Sequence, residues 1–151
     1  TTVYLSGVDR APEGPVDVSL VADATKYALG LGIGRVMASD TTGRATTDSM
    51  SMWLEAMLEA AEENAEAIGL HLHDKHGRAT GLAVIAASRF GITHFDGSLR
   101  GLGKCPADTD GKNGNVATER LVYAFDTAGK TTGINGPLII EAAEAANKLL
   151  K

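Results

Sequence analysis

Cysteine is almost missing from these 151 residues. Cys105 is the only one, so no internal disulfide can form and nothing points to an oxidising compartment. A basic excess is missing too. The 14 Lys and Arg stand against 19 Asp and Glu, for a net charge of −5 and a pI of 5.3. That balance excludes the broad basic face that a nucleic-acid backbone calls for. No apolar run approaches the ~20 residues needed to cross a bilayer, and no signal peptide opens the chain. The first residue is Thr1 rather than Met, so the start reads as processed, trimmed or cut from something larger. These absences point to a soluble chain of the cytoplasm, with neither nucleic acid nor membrane among its partners.

What is present describes a folded domain. Hydrophobic residues make up 44% and charged residues 22%, and 15.6 kDa suits a single domain over residues 1–151. The 18 glycines fall mostly between periodic segments. Thr2 to Val8 is rich in strand formers and runs into a Pro/Gly loop, Ala11-Pro12-Glu13-Gly14-Pro15. Val16, Leu20, Ala24, Tyr27, Ala28 and Leu31 then recur at helical spacing, and Gly30 and Gly32 stop the helix. Ile33 to Ser39 reads as a second strand, closed by Asp40-Thr41-Thr42-Gly43. In the next helix Thr47 is the expected cap, and Met50, Trp53, Leu54, Met57, Leu58 and Ala61 line one face. Met50, Met52 and Met57 with Trp53 read as core packing.

Two more units follow. Ile68 to His73 is a third strand, and Ala79, Leu82, Ala83, Ala86 and Phe90 mark a short helix. Ile92 to Gly97 is a fourth strand, followed by a glycine-rich loop over 98–114. Leu121, Val122, Phe125 and Ala128 form the next helix face, and Pro137 opens a last helix over 137–151. Four strand–helix repeats imply a parallel α/β sheet. Two architectures accommodate them: an open doubly wound sheet, or half of an eight-stranded barrel that typically needs ~250 residues. The pattern alone favours the open sheet, because a half barrel leaves exposed edges and an uncovered inner face.

Chemistry collects at the C-terminal ends of the strands. His71 and His73 are two apart on a strand, so both imidazoles point to one side and can reach one metal ion. Alternatively they are polar residues at a strand end. Asp74 follows and could orient an imidazole. Asn115 either caps the following helix or adds an oxygen to a mixed N/O ligand set. Glu119 complements a helix dipole unless it reaches the site. Asp40 forms a turn or acts as a site acid. Cys105, beside Lys104 in a glycine-rich loop, could bring an acid/base or nucleophilic thiol over a substrate; otherwise it is incidental. His76 reads as solvated, and His94 as packed or partner-facing. The glycine loop lacks the Lys-Ser/Thr ending of a phosphate loop, which excludes nucleotide binding there.

Three motifs in this order resemble the hydroxymethylglutaryl-CoA lyase family: His71-Leu72-His73-Asp74, Gly101-Leu102-Gly103-Lys104-Cys105-Pro106 and Gly114-Asn115-Val116-Ala117-Thr118-Glu119. Asp40-Thr41-Thr42-Gly43 and Pro12-Glu13-Gly14 match the same pattern. The resemblance runs from about Val3 to about Ala146. It implies a metallolyase β/α barrel that cleaves a β-hydroxy acyl-CoA by a retro-Claisen reaction, giving acetyl-CoA and acetoacetate. It further implies a divalent metal, Mg or Mn with Zn as an option, held by His71, His73 and Asn115. By the same resemblance His71 also shuttles a proton, Cys105 is the loop thiol that closes over the substrate, and Asp40 supports catalysis.

The resemblance covers only barrel strands five to eight, so it shifts the expectation from the open sheet to a (βα)4 half barrel completed by oligomerisation. The family's N-terminal half, whose first strand supplies an Arg-Asp pair, has no counterpart in the 151 residues. Lys104 stands where a glycine is usual, and Gly7-Val8-Asp9-Arg10 where small, apolar or cysteine residues are expected. The expected partner is a second copy or an unseen N-terminal half. If two copies pair head to tail, Asp9 and Arg10 of each become candidates to face the other's His71 and His73. A non-catalytic half-barrel module (natural, ancestral or engineered) that self-associates and retains its metal is the competing expectation.

Overall fold

Four parallel strands lie side by side in the order in which the chain makes them: β1 (Thr2–Ser6), β2 (Arg35–Asp40), β3 (Ile68–Leu72) and β4 (His94–Asp96). The structure is a computed structural model and describes residues 1–11, 13–104 and 114–149. Helices α1 (Val18–Gly30), α2 (Thr47–Ala61), α3 (Ala79–Arg89) and α4 (Thr118–Thr127) follow the strands in turn, and α5 (Gly136–Leu149) ends the chain. A two-residue ribbon, Arg10–Ala11 with Gly14–Pro15, decorates the loop after β1. A doubly wound sheet reverses its strand order at a switch point. This sheet does not, and neighbours in chain order are what a segment of a β/α barrel requires. The four strands do not close on themselves: β1 and β4 are the edges. Among the described residues no helix is long and apolar enough to cross a membrane.

Register separates the two faces of the sheet. Val36 pairs with Val3 and Ile68, and Ala38 with Leu5 and Leu70, which in turn pairs with Phe95. The Leu5, Val36, Ala38, Ile68, Leu70 and Phe95 side chains meet the helices and join a core built on Trp53, Leu54, Met57, Leu82, Ala86, Leu121 and Phe125. The alternate residues form rows on the other face: Tyr4, Met37, Gly69 and His94, then Ser6, Ser39, His71 and Asp96. Gly69 leaves room there for the Met37 side chain, whose Sδ would lie 2.5 Å from an added Cβ.

Local physics corrects several expected details. The N-cap of α2 is Thr46 rather than Thr47. Thr46 is extended (φ −110°, ψ 171°) and closes a capping box with Ser49. In α1 the buried stripe is Val21, Thr25 and Ala28, while Leu20, Tyr27 and Leu31 are exposed. Thr25 conceals this stripe in the sequence, since it is polar; its hydroxyl is satisfied by donating 2.8 Å to the Val21 carbonyl. Met52 is exposed rather than core, because it sits two positions off the Met50–Trp53–Met57 stripe. The last helix begins at Gly136, one residue before Pro137. Strand ends are shorter than the apolar runs suggest: β1 stops at Ser6 and β4 spans three residues.

Candidate metal and active site

The segment after the glycine loop is stitched between the ends of β3 and β4. Val116 N donates to the Leu72 carbonyl (2.9 Å), Asp74 N to Gly114 (2.8 Å) and Ser98 N to Val116 (3.1 Å). His73 and Asn115 thereby form a β-bridge. Asn115 is fixed from the other side by the glycines. Its backbone N donates to the Gly103 carbonyl (3.2 Å) and its Nδ2 to the Leu102 carbonyl (2.6 Å). Gly103 has φ +101°, and a Cβ there would stand 2.5 Å from Asn115 Nδ2. The glycine-rich stretch is therefore a mould for one amide side chain. Asn115 does not cap α4, whose N-cap Ala117 has no side-chain cap bond.

The structure brings His71, His73 and Asn115 together. The two imidazole centroids are 5.3 Å apart. Burial pushes the His71 pKa down from 6.5, opposed by the neighbouring Asp96 charge and by a hydrogen bond with the Asn115 side chain. A neutral imidazole is the form that ligates a metal. His71 Nδ1 is buried without a hydrogen-bond partner. Two imidazoles and an amide suit a divalent cation with ligands still to be supplied. Among the described residues no group of three or more His, Cys, Asp or Glu is placed to hold a metal ion.

The other expected residues are placed differently. Asp40 is buried, and its carboxylate accepts from Ala45 N (2.9 Å), Arg44 N (3.2 Å) and Thr42 Oγ1 (3.2 Å). Desolvation raises its pKa above 3.8, partly offset by those donors, and the Asp9 charge adds to the rise. Asp9 is therefore close to Asp40 at this end of the sheet, and Arg10 follows it in the small ribbon. Asp74 does not orient an imidazole: Oδ1 accepts from Ala79 N (3.1 Å) and Oδ2 pairs with Arg120 (2.9 Å). The first turn of the next helix outcompetes the imidazole, because its amides have no other acceptor. Glu119 accepts from Arg100 N through both carboxylate oxygens and holds the turn where Arg100 adopts φ 58°. Cys105 lies outside the described residues. His76 is exposed, and His94 Nε2 lies 2.6 Å from Arg35 Nη2 at the opposite end of the strands.

A protein-family model described as HMGL-like matches residues 10–145. The chain belongs to the HMGL-like family. It is 37% identical over 146 residues to a hydroxymethylglutaryl-CoA lyase of Bacillus subtilis (strain 168), covering 95% of this chain and 47% of that protein. It is 36% identical over 140 residues to the mitochondrial hydroxymethylglutaryl-CoA lyase of Bos taurus, covering 92% and 42%. The crystal structure of the HMG-CoA lyase from Brucella melitensis superposes with a TM-score of 0.89 at 33% identity, over 98% of this chain and 51% of that one. The chain thus spans about half the length of the HMGL-like relatives it matches.

Sequence reasoning missed three residues on the face that bears His71. Tyr4 donates its hydroxyl to Asp96 Oδ2 (2.5 Å), and that bond is the main cause raising its pKa. Asp96 Oδ2 lies 3.8 Å from His71 Nδ1, and the Tyr4 ring meets the His71 ring edge to face at 5.6 Å. The Ser39 hydroxyl is buried beside them without a hydrogen-bond partner. Period-two alternation could have found Asp96: it sits two residues after His94 at the end of a strand.

Proposed function

We propose that this chain is the metal-holding half of a carbon–carbon lyase, which cleaves a hydroxymethylglutaryl-CoA-like acyl thioester to acetyl-CoA and acetoacetate once a full barrel encloses the site. The observation that carries the reading is the convergence of His71, His73 and Asn115 at the strand ends of an HMGL-like chain. These three would hold the divalent ion, Mg or Mn before Zn, given a mixed imidazole and oxygen set. When bound, such an ion polarises substrate oxygens. A neutral imidazole has a single lone pair, so His71, kept neutral by burial, would take the substrate hydroxyl proton only while that lone pair is not on the ion. The carbon–carbon bond then opens, the hydroxyl carbon becomes a carbonyl, and the acetyl carbon receives a proton from Cys105. Asp40 braces the β2 turn beside the site through its three donors.

The barrel is completed by an N-terminal half or by a second copy. A groove of about 480 Å³ on the helix side of β4, lined by Ile92, Phe95, Leu121 and Phe125, offers apolar seating for the side chains of an added strand. In a head-to-tail pair, Asp9 and Arg10 would face the partner's His71 and His73. A second reading, a self-associating half-barrel module without turnover, is favoured by the two open edges of the sheet.

The test is native mass with bound-metal stoichiometry, followed by incubation with Mn and a hydroxymethylglutaryl thioester. Acetoacetate that disappears in Cys105→Ala supports the lyase. A metallated oligomer that yields none supports the module. An Asp9→Ala variant with unchanged metal content removes Asp9 from the site.

A further inference from the structure

His71 has an acid behind it, and the acid has a clamp. Register places His71 directly opposite Asp96, so both side chains rise from the same row of the sheet. The Asp96 carboxylate accepts from the Tyr4 hydroxyl, which reaches it across the two intervening strands from the far edge of the sheet. The Tyr4 ring also lies edge-on to the His71 ring. His71 Nδ1 lies 3.8 Å from Asp96 Oδ2 and is buried with no hydrogen bond of its own. A carboxylate beside one imidazole nitrogen favours the proton on that nitrogen and leaves the lone pair on the other.

We propose that Asp96, pinned by Tyr4, is the positioning residue that fixes His71 in its Nδ1–H form and turns Nε2 toward the divalent ion. The inference rests on the metal reading above for the identity of what Nε2 faces. At 3.8 Å the contact is an electrostatic approach rather than a formed hydrogen bond. Asp74, the acid next to the His71-Leu72-His73 motif in sequence, is not available for this work, since both of its oxygens serve α3 and Arg120. Tyr4 and Asp96 tie the two edge strands to the imidazole between them.

Two readouts test it on the 151-residue chain. Two-bond 1H–15N NMR of the metal-free protein should show His71 as the Nδ1–H tautomer. Asp96→Asn should convert it to a mixture, and Asp96→Glu should restore it. Mn binding followed by EPR should weaken about 10–100-fold in Asp96→Asn, and less in Tyr4→Phe, which removes only the clamp hydroxyl. A His71 tautomer unchanged in both Asp96→Asn and Tyr4→Phe overturns the proposal, and so does unchanged Mn affinity alongside it. Should Asp96→Asn fail to fold, Tyr4→Phe alone carries the test through the same two signals. A wild-type chain that binds no Mn yet shows the Asp96-dependent tautomer overturns the metal reading and leaves the positioning role supported.

Discussion

The two faces of this sheet are built from alternate residues of the same strands, yet they obey different rules. Toward the helices, Val36, Ala38, Ile68, Leu70 and Leu72 are almost wholly buried among apolar neighbours. Toward the other side, the same strands present Tyr4, Ser39, His71, His94 and Asp96. Three polar atoms on that second face, in Arg35, Ser39 and His71, are buried without hydrogen bonds, against one in the helix-side core, Trp53 Nε1. Burying polar atoms unsatisfied costs stability, so this face is not arranged for stability. The contrast teaches where selection for folding stops and arrangement for chemistry begins: one residue apart along β3.

Leu70 and His71 give the largest effect and the sharpest way to break that contrast. Leu70 is fully buried, so Leu70→Ala should cost roughly 2–5 kcal/mol through lost transfer energy and the cavity left behind. His71→Leu should change stability by less than about 1 kcal/mol, since it removes a desolvated ring nitrogen and adds apolar surface. Urea denaturation of both variants measures this. Comparable losses at the two positions would mean that His71 is structural.

An intermediate effect is expected at Gly103. Alanine there must adopt φ +101° and push against Asn115 Nδ2, a strain of about 1–3 kcal/mol. Mn affinity should fall with it, because Asn115 loses the mould that aims its amide. Lost stability with intact Mn binding would exclude Asn115 as a ligand.

How much of this was legible beforehand depends on range. Four strand–helix repeats were readable because periodicity is local: Trp53, Leu54 and Met57 mark α2 without any tertiary knowledge. Periodicity alone favoured the wrong architecture, however. Nothing local distinguishes a sequential strand order from a reversed one, and the motif resemblance supplied that step. In the site, His71 and His73 were visible because residues two apart on a strand share a side. The meeting of Asp96 and Tyr4 with His71 was not, since it depends on register across four strands. Asp74 was misread for the complementary reason. Nearness in sequence suggested an imidazole partner, but the unsatisfied amide of Ala79 is nearer in space.

The smallest expected effect concerns Asp40, which lies at the seam where β2 passes from the apolar core to the strand-end chemistry. Its pKa is raised above 3.8, chiefly by burial, so the folded state disfavours the charged form. The resulting stability contribution is fully present below pH 3.8 and is lost as the pH climbs through the raised value. Asp40→Asn has no such titration. The stability difference, wild type minus variant, should therefore decline as the pH rises from about 3 toward neutrality, measured by urea unfolding at several pH values. A difference that grows instead would mean that the Ala45, Arg44 and Thr42 donors outweigh desolvation. Asp40 would then belong with the satisfied side of the sheet, as a turn anchor whose charge the fold prefers.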